Sequence, residues 1–362
     1  MEATKKKKNP KKALVIAGIG VGVGAGALAI AAVAILLVLA IVLALGAHLL
    51  TPVVFSDFFS NASEEYVTPG IDAGFVPQGY DYHEEYGIFL HCGYMADGES
   101  ASRIYVGETR YVELYTADGQ PYTGHTGGIT SYGDFVWIAN DGEGEDNCVW
   151  VLSMRDIMEA VDGIDCKVTL ETKFHPETRA AYCYAAEGFL WIGEFNDSEN
   201  YFTDESHYFE VADGEINKAL ICAYDIASHS EIGIYYEEVD GERVITPTLA
   251  LSVTDKVQGF TKTHDGFAIS TSYGLSPSVL YFYERDTEYN EFDAIIDVNG
   301  YAVPVYFLDN DCLTDKVTAP PMSEEIVYLD GNLYVMFESA CHKYIFGNLT
   351  RGRHIYSYFM YE

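Results

Sequence analysis

The sequence predicts an all-β protein, a β-propeller of five blades, preceded by one N-terminal transmembrane helix. Two observations predict the propeller: short alternating strands separated by turn residues fill residues 76–362, and one pattern of strand, turn and strand recurs there. A third observation, an uninterrupted apolar run over residues 13–50, predicts the helix. We therefore expect a basic tail over residues 1–12, a signal-anchor over 13–50, a stalk over 51–75 and the propeller over 76–362.

The N-terminal segment has the composition of a membrane anchor. The run from Ala13 to Leu50 contains no Asp, Glu, Lys or Arg, and six lysines precede it within residues 1–12. About 20 apolar residues span a bilayer, whereas the apolar core of a secretory signal has about 7–15. Because basic flanks stay in the cytoplasm, we expect a single-pass protein of the cell membrane whose C-terminal domain is extracellular or otherwise outside the cytoplasm. Cleavage after Ala47 is the alternative.

The rest of the chain is strongly acidic. Residues 51–362 carry 54 acidic and 15 basic residues, a formal charge of −39. Such a surface repels phosphate backbones, so the composition argues against nucleic acid as a partner. It favours a soluble acidic surface, cationic ligands or calcium, and the partners we expect are the membrane and an unknown extracellular ligand or protein.

Two segments of the chain carry the same unit, which consists of a Gln-Gly pair, a turn, an apolar triplet, a tyrosine and a serine. The members of the two units are Gln78, Gly79, Tyr94 and Ser102 in the first, and Gln258, Gly259, Tyr273 and Ser278 in the second. The glutamine and the tyrosine are 16 residues apart in the first unit and 15 in the second. This agreement indicates an internal repeat.

The turn and triplet recur at five places, which sets the number of blades. The turn glycines are Gly87, Gly133, Gly188, Gly266 and Gly331, at intervals of 46, 55, 78 and 65 residues. Each interval has room for a four-stranded sheet, and five such sheets in a ring make a propeller. Six blades is the alternative, with a degenerate blade around Gly233 to Leu251. We expect a strand from one terminus to close the ring, and the alternating run Arg353–Tyr361 is the candidate.

The Gln-Gly units, together with Pro320–Glu325 and Phe337–Ala340, carry a family resemblance. In these motifs the chain resembles a group of bacterial secreted or membrane-anchored β-propeller proteins of unassigned function. The resemblance implies the fold and an extracytoplasmic location, and it implies no reaction.

The same Gln-Gly unit also resembles the opening blade of plant-type glutaminyl cyclases, which are five-bladed propellers. Those enzymes have Glu-Ser-Thr-Gly in that blade. Here the corresponding stretches are Leu90–Gly93 and Ser270–Tyr273, and neither contains a glutamate. The residue type that would handle the proton is therefore missing at that position.

Polar residues at the inner strands are the first candidates for a ligand site, because ligands of propellers meet the axial channel and its loops. The ligand or channel residues that we expect occupy repeated or neighbouring positions: Gln78, Gln258, His125, Tyr94, Tyr273, Ser102 and Ser278. The alternative for the two glutamines is a side-chain hydrogen bond that ties neighbouring blades together.

Two acids follow apolar strands that enter the core, and they are the catalytic candidates. Glu194 follows Trp191-Ile192-Gly193, and Glu338 follows Tyr334–Phe337. Two carboxylates at a channel could act as acid and base in glycoside or peptide chemistry, or could bind a divalent cation. Buried carboxylates need partners, and we expect Arg179, Lys343 or a metal ion to supply them. Salt bridges between blades are the alternative role.

An acidic loop is the one candidate metal site. Its carboxylates are Asp141, Glu143, Glu145 and Asp146, whose oxygens suit calcium, the only cofactor that the sequence suggests. The loop lacks the spacing of a standard calcium loop, so a solvated turn is the alternative.

These residues leave two functions open. The first is a membrane-tethered extracytoplasmic propeller that binds a ligand or protein partner without a defined activity. The alternative is an exported hydrolase or a glutaminyl-cyclase-like enzyme that uses axial carboxylates. The sequence contains no serine-nucleophile elbow, zinc signature or dinucleotide fingerprint, which favours the first.

Overall fold

The computed structural model describes residues 10–344 and 347–360, and the chain divides into two units, residues 1–50 and 51–362. The long helix α1 spans Pro10–Val54. Within it, the 23 residues Ala32–Val54 have a mean hydropathy of 2.9, enough to cross a membrane by length and composition, or to serve as a signal sequence. Most of the basic tail predicted for residues 1–12 lies outside the described residues.

A short helix and a strand follow α1. Helix α2 spans Ser56–Phe59, and strand β1 spans Ala62–Val67. Strand β1 pairs antiparallel with the last strand of the chain, β27, which spans His354–Phe359. The stalk predicted for residues 51–75 is therefore corrected, because these residues build part of the propeller. The segment looked like a linker because the outer strand β1 is mostly exposed and contains two glutamates.

Five antiparallel sheets of four core strands form the blades. Blade 1 contains β2 (Phe75–His83), β3 (Ile88–Met95), β4 (Arg103–Val106) and β5 (Arg110–Thr116). Blade 2 contains β6 (Gly128–Tyr132), β7 (Phe135–Asn140), β8 (Cys148–Ser153) and β10 (Thr172–Phe174). Blade 3 contains β11 (Tyr182–Ala186), β12 (Phe189–Gly193), β15 (Ala219–Asp225) and β18 (Leu249–Val253). Blade 4 contains β19 (Val257–Lys262), β20 (Phe267–Thr271), β21 (Ser278–Tyr283) and β24 (Leu313–Ala319). Blade 5 contains β25 (Ser323–Leu329), β26 (Asn332–Phe337), β27 and β1. The predicted five-bladed propeller is confirmed.

Additional elements decorate the blades. Helix α3 (Met154–Asp162) packs on blade 1 beside strand β9 (Lys167–Leu170). Strand β9 extends that blade by pairing in parallel with β5. The pair β22 (Ala294–Val298) and β23 (Tyr301–Phe307) extends blade 3 in the same way. The remaining strands form two small hairpins. One consists of β13 (Phe209–Glu210) and β14 (Ile216–Asn217), and the other of β16 (Glu237–Val239) and β17 (Glu242–Val244).

The turn glycines are far apart in places because extra segments are inserted within blades, so the alternative count of six blades is wrong. The segment Gly233–Leu251 forms the exposed hairpin β16–β17 and then enters β18, the fourth strand of blade 3. A further blade would need an inner strand at the axis, and this segment supplies none. The predicted closing run Arg353–Tyr361 contributes β27, the third strand of blade 5, and β1 from the other end of the propeller completes that blade. Closure by both ends leaves no unpaired terminal blade.

Glycines allow the inner strands of neighbouring blades to approach one another at the axis. A Cβ on Gly79 in β2 would lie 2.5 Å from the backbone nitrogen of Ile129 and 2.7 Å from the carbonyl carbon of Gly128, both in β6. On Gly259 in β19 it would lie 2.7 Å from Cα of Glu325 in β25. The two Gln-Gly pairs of the repeat therefore mark close contacts between blades.

Gly79→Ala is expected to lower the free energy of unfolding by about 1–3 kcal/mol, because the added methyl group meets backbone that cannot rotate away. Urea denaturation of the purified full chain measures this change. Gly98→Ala is the control, because its φ of +68° carries the strain of a left-handed residue while a Cβ there meets nothing within 4 Å. Equal losses in the two variants would contradict a close packing of blades 1 and 2.

Candidate functional site

The five inner strands, β2, β6, β11, β19 and β25, surround the axis and begin at the same end of it. We call this the starting end and the opposite one the finishing end. Strands β2 and β19 each have an irregular register, at Gln78 and Gln258, and β25 has one at Glu324-Glu325. Irregularities of this kind redirect side chains. They bring polar groups to the starting end.

At the starting end a cluster of buried polar side chains joins blades 1 and 5. The Gln78 amide donates to the carbonyl of Pro77 and to Oε2 of Glu338, both at 2.8 Å. Glu338 is 9% exposed, Gln78 4% and Glu324 3%, and the two glutamates hydrogen-bond each other. Gln78, Glu324 and Glu338 are called the starting-end cluster below.

The electrostatics of the cluster require a shared proton. Burial raises the pKa of both glutamates, and the charge of Glu338 raises the pKa of Glu324 further. The Gln78 amide, the Lys343 charge and the Tyr344 hydroxyl act in the opposite direction on Glu338 and favour its ionised form. Glu324 therefore keeps the proton and donates it in a hydrogen bond to the carboxylate of Glu338.

A rim of aromatic and basic side chains lies beside the cluster. The Lys343 ammonium lies 4.6 Å from the ring centre of Tyr94 and 5.3 Å from that of Tyr344, and it contacts the Tyr94 hydroxyl. The centre of the His125 ring lies 5.3 Å from that of Tyr94, with the two planes tilted by 31°. The surrounding protein, and then the Lys343 charge, lower the pKa of His125 to about 4, so its imidazole is neutral at pH 7. The Lys343 ammonium group thus lies close to two tyrosine rings beside the acids of the cluster.

Glu194 belongs to a different network. It is 1% exposed and accepts hydrogen bonds from the Leu220 amide at 3.0 Å and the Arg179 amide at 3.3 Å. Its Oε2 also lies 2.9 Å from Nδ1 of His207. Burial lowers the pKa of His207, but the hydrogen bond and charge of Glu194 outweigh burial and raise it overall. These partners belong to blade 3 and its insertion, whereas those of Glu338 belong to blades 1 and 5, so the two acids predicted to act together have separate surroundings.

The remaining predicted channel residues lie at connections between elements. The Ser102 hydroxyl donates to the carbonyl of Gly124 at 2.7 Å, and the Ser278 hydroxyl accepts from the amide of Ser323 at 3.0 Å. Gln258 is partly exposed at the start of β19. The Tyr273 hydroxyl, at the surface, accepts from the Asn200 amide at 3.2 Å. These contacts fit a role in holding neighbouring elements of the propeller together. A role of these residues in ligand binding stays a prediction.

The acidic loop points its carboxylates at different basic partners. Asp141 lies 2.7 Å from the Arg179 guanidinium and Glu143 lies 3.5 Å from it, while Glu145 lies 3.6 Å from Lys173. The Asp146 carbonyl accepts from the amide of Asn140 at 2.7 Å. Over the part of the chain that the structure describes, no three His, Cys, Asp or Glu side chains are grouped to hold a metal ion. Calcium binding at this loop stays a prediction.

Sequence reasoning missed three acids at the axis. They are Glu324, Glu325 and Asp81, which are 3%, 0% and 4% exposed. Two consecutive glutamates inside an apolar strand, at the place that the repeat gives to Gln-Gly, were the available signal for the first two. Asp81 had none, because an Asp between two tyrosines is typical of an exposed strand position.

Comparison with known proteins gives information about the fold of the chain and about nothing else. No protein-family model matches the chain, and no curated protein matches it significantly. Among solved structures, the chain is similar to the aldose sugar dehydrogenase of Streptomyces coelicolor in its PQQ-bound form, with 12% identity, a TM-score of 0.41, and 76% of this chain and 78% of that chain covered. It is also similar to the glutaminyl cyclase of Myxococcus xanthus, with 10% identity, a TM-score of 0.37, and 76% and 90% covered. The class defined by the chain's own sheets is the five-bladed β-propeller.

Proposed function

We propose that the chain is a membrane-anchored β-propeller whose blades lie outside the cytoplasm, and that it binds a small polar ligand at the starting-end cluster. The observation that carries this proposal is the buried network of Gln78, Glu324 and Glu338 beside a rim that includes the exposed Lys343. Burying such groups costs free energy unless they are hydrogen-bonded. A network that merely joined two blades would need no rim of Tyr94 and Lys343 above it.

The ligand that fits has hydrogen-bond donors and carries a positive charge or no charge. Glu338 presents a carboxylate, and the body of the protein has a formal charge of −39, so an anionic ligand would be repelled. Tyr94 and Tyr344 supply hydroxyl groups and ring faces. The Lys343 side chain, which is exposed, occupies the place that such a ligand would take.

Thermal melts of the full chain in lipid nanodiscs test the ligand site. A ligand that binds the folded state raises the melting midpoint by mass action. Among a panel of amino acids, sugars and short peptides, we expect at least one compound to raise the midpoint, and Glu338→Gln to remove that shift. Glu242→Gln, on the exposed strand β17, is the charge-matched control. A shift that survives Glu338→Gln would place the site elsewhere.

Topology is tested on intact cells. We expect added protease to digest the propeller, or a tag at the C-terminus, without cell lysis, and deletion of residues 13–50 to release the protein from the membrane fraction. A propeller that is digested only after lysis would contradict the proposed orientation. Release into the medium of a chain that lacks the first 47 or so residues would indicate cleavage near Ala47.

An enzyme is the second candidate, and the shared proton of Glu324 and Glu338 favours it. A carboxyl group whose pKa is raised by burial can hold and deliver a proton near neutral pH. Turnover by the full chain of glycosides or of peptides with an N-terminal glutamine would support an exported hydrolase or a glutaminyl-cyclase-like enzyme. We then expect Glu338→Gln to abolish turnover with the melting midpoint retained. Glu194→Gln, in a separate network, should leave turnover in place, and the reverse pattern would move the reaction to Glu194.

Calcium binding by the loop Asp141–Asp146 has its own test. A rise in the melting midpoint with Ca²⁺ that is reversed by a chelator, and that is lost when Glu143 and Glu145 are both changed to Gln, would support it. Zn²⁺ is the comparison ion, since these oxygen ligands favour calcium. An unchanged midpoint would leave the loop's carboxylates as partners of Arg179 and Lys173.

A further inference from the structure

The finishing end of the axis, opposite the starting-end cluster, holds a second cavity. Its volume is about 570 Å³, which is within the range of small-molecule sites. The ends of all five inner strands and the turns that follow them line it, so each blade contributes. The lining residues used below are Asp81, Glu84, Glu85, Tyr184, Lys262 and Tyr328.

Three of the four acids that line this cavity lack cationic partners among the described residues, and the fourth, Glu187, pairs with Lys262. Asp81 is 4% exposed, and the Ser131 hydroxyl donates to it at 2.8 Å. Burial raises the pKa of Asp81 to about 7. Among the described residues, no basic side chain forms an ion pair with Asp81, Glu84 or Glu85. A buried carboxylate with hydrogen bonds but no counter-ion is a place where a cation gains binding free energy.

The basic groups of the wall already have partners of their own. Lys262 lies 3.5 Å from Glu187, and Nδ1 of His264 lies 2.9 Å from Asp265. The Nε2 of His83 lies 2.9 Å from the carbonyl of Gly133. The acids of the wall outnumber its lysine, so the net charge around the cavity is negative.

Aromatic side chains supply the rest of the wall. Tyr82, Tyr132, Tyr184 and Tyr328 come from blades 1, 2, 3 and 5 and line the same cavity. Tyrosine faces attract ammonium groups through the ring quadrupole, and sites for quaternary ammonium ligands are commonly lined by aromatic rings.

We propose that this cavity binds a small organic cation, a molecule with a quaternary or primary ammonium group that lies against Asp81 and is surrounded by the tyrosines. Anions are repelled by the three acids, and an uncharged ligand would leave Asp81 without a counter-ion. This site is independent of the starting-end cluster, and its failure would leave the function proposed there untouched.

Binding should depend on pH through Asp81. The charged and titratable groups facing it are Glu325 of blade 5, Tyr184 of blade 3, Lys262 and His264 of blade 4, and His83, Glu84 and Glu85 of its own blade. Glu325 is fully buried, and burial raises its pKa well above the usual range. Asp81 is thus the buried group that changes charge near neutrality, so cation affinity should rise between pH 6 and pH 8.

Isothermal titration of the full chain in an uncharged maltoside detergent tests the proposal, because phosphocholine lipids would carry the probe's own group. The probes are choline and its neutral isostere 3,3-dimethyl-1-butanol. We expect choline to bind and the isostere to bind at least tenfold more weakly. Asp81→Asn should weaken the binding of choline at least tenfold. Glu242→Gln, on a distant exposed strand, should leave the affinity for choline unchanged.

A second variant protects the test against misfolding. Changing the exposed pair Glu84 and Glu85 to Gln leaves the core intact and should weaken the binding of choline several-fold. The proposal is overturned if choline, tetramethylammonium and spermidine all fail to bind, or if the isostere binds as well as choline. It is equally overturned if Ca²⁺ displaces choline and shows the same dependence on Asp81, since the site would then be a metal site.

Discussion

Phe58→Ala is expected to lower the free energy of unfolding by about 3–5 kcal/mol, the range for removing a fully buried aromatic side chain. Phe58 is 0% exposed, and its ring centre lies 5.9, 5.6 and 5.8 Å from those of Phe337, Tyr356 and Tyr358. These partners belong to strands β26 and β27 of blade 5. The substitution leaves a cavity at the point where the two ends of the propeller meet.

Urea denaturation of the full chain, followed by tryptophan fluorescence, measures the effect. Phe59→Ala is the matched control, because the neighbouring ring is half-buried and packs on fewer partners, so its loss should be clearly smaller. If residues 51–75 were a stalk, both substitutions would leave the unfolding midpoint unchanged. That outcome would contradict the closure of blade 5 by β1.

The repeat made the five blades predictable, because each turn glycine and apolar triplet specifies an inner hairpin. The outer strand β1 was not predictable in the same way. An outermost strand has one hydrogen-bonding neighbour and a mostly exposed surface, so its residues need not alternate between apolar and polar. The information that places β1 lies in β27, nearly 300 residues away, and in the ring of Phe58.

The candidate site was predictable in part. A carboxylate after an apolar strand indicated that Glu338 would be buried, and the Lys343 charge acts on it as expected. Arg179 meets Glu194 only through its backbone amide, because its guanidinium pairs with Asp141. Which acids meet could not be deduced, because that depends on the order of blades around the ring. Glu338 contacts Gln78 because the last blade adjoins the first.

The stability of the propeller is expected to fall as the pH rises from about 5 to 8. A carboxyl group whose pKa is higher in the folded than in the unfolded chain binds more protons when folded. The contribution of such a group to the free energy of unfolding is complete below its pKa in the unfolded chain, about 4. That contribution is lost as the pH rises to its pKa in the folded chain. Burial raises the pKa of Asp81 to about 7 and those of Glu324, Glu325 and Glu338 in the same direction. One pKa unit corresponds to about 1.36 kcal/mol, so Asp81 alone accounts for about 4 kcal/mol.

Two uncharged substitutions should reverse this loss, which makes the prediction specific to the axis. Asp81→Asn keeps an acceptor for Ser131, and Glu324→Gln keeps a donor for the Glu338 carboxylate, so each mimics the protonated acid. We expect both variants to unfold at higher urea concentration than the natural chain at pH 8, and with little difference at pH 4.5. Surface acids with lowered pKa values, such as Asp97, act in the opposite direction and only below about pH 4. Two outcomes would contradict this prediction: a natural chain that is more stable at pH 8 than at pH 5, or variants that are less stable than the natural chain at pH 8. Either would show that the axial acids are ionised and have partners of their own. It would remove the basis for a shared proton at Glu338 and for a cation site at Asp81.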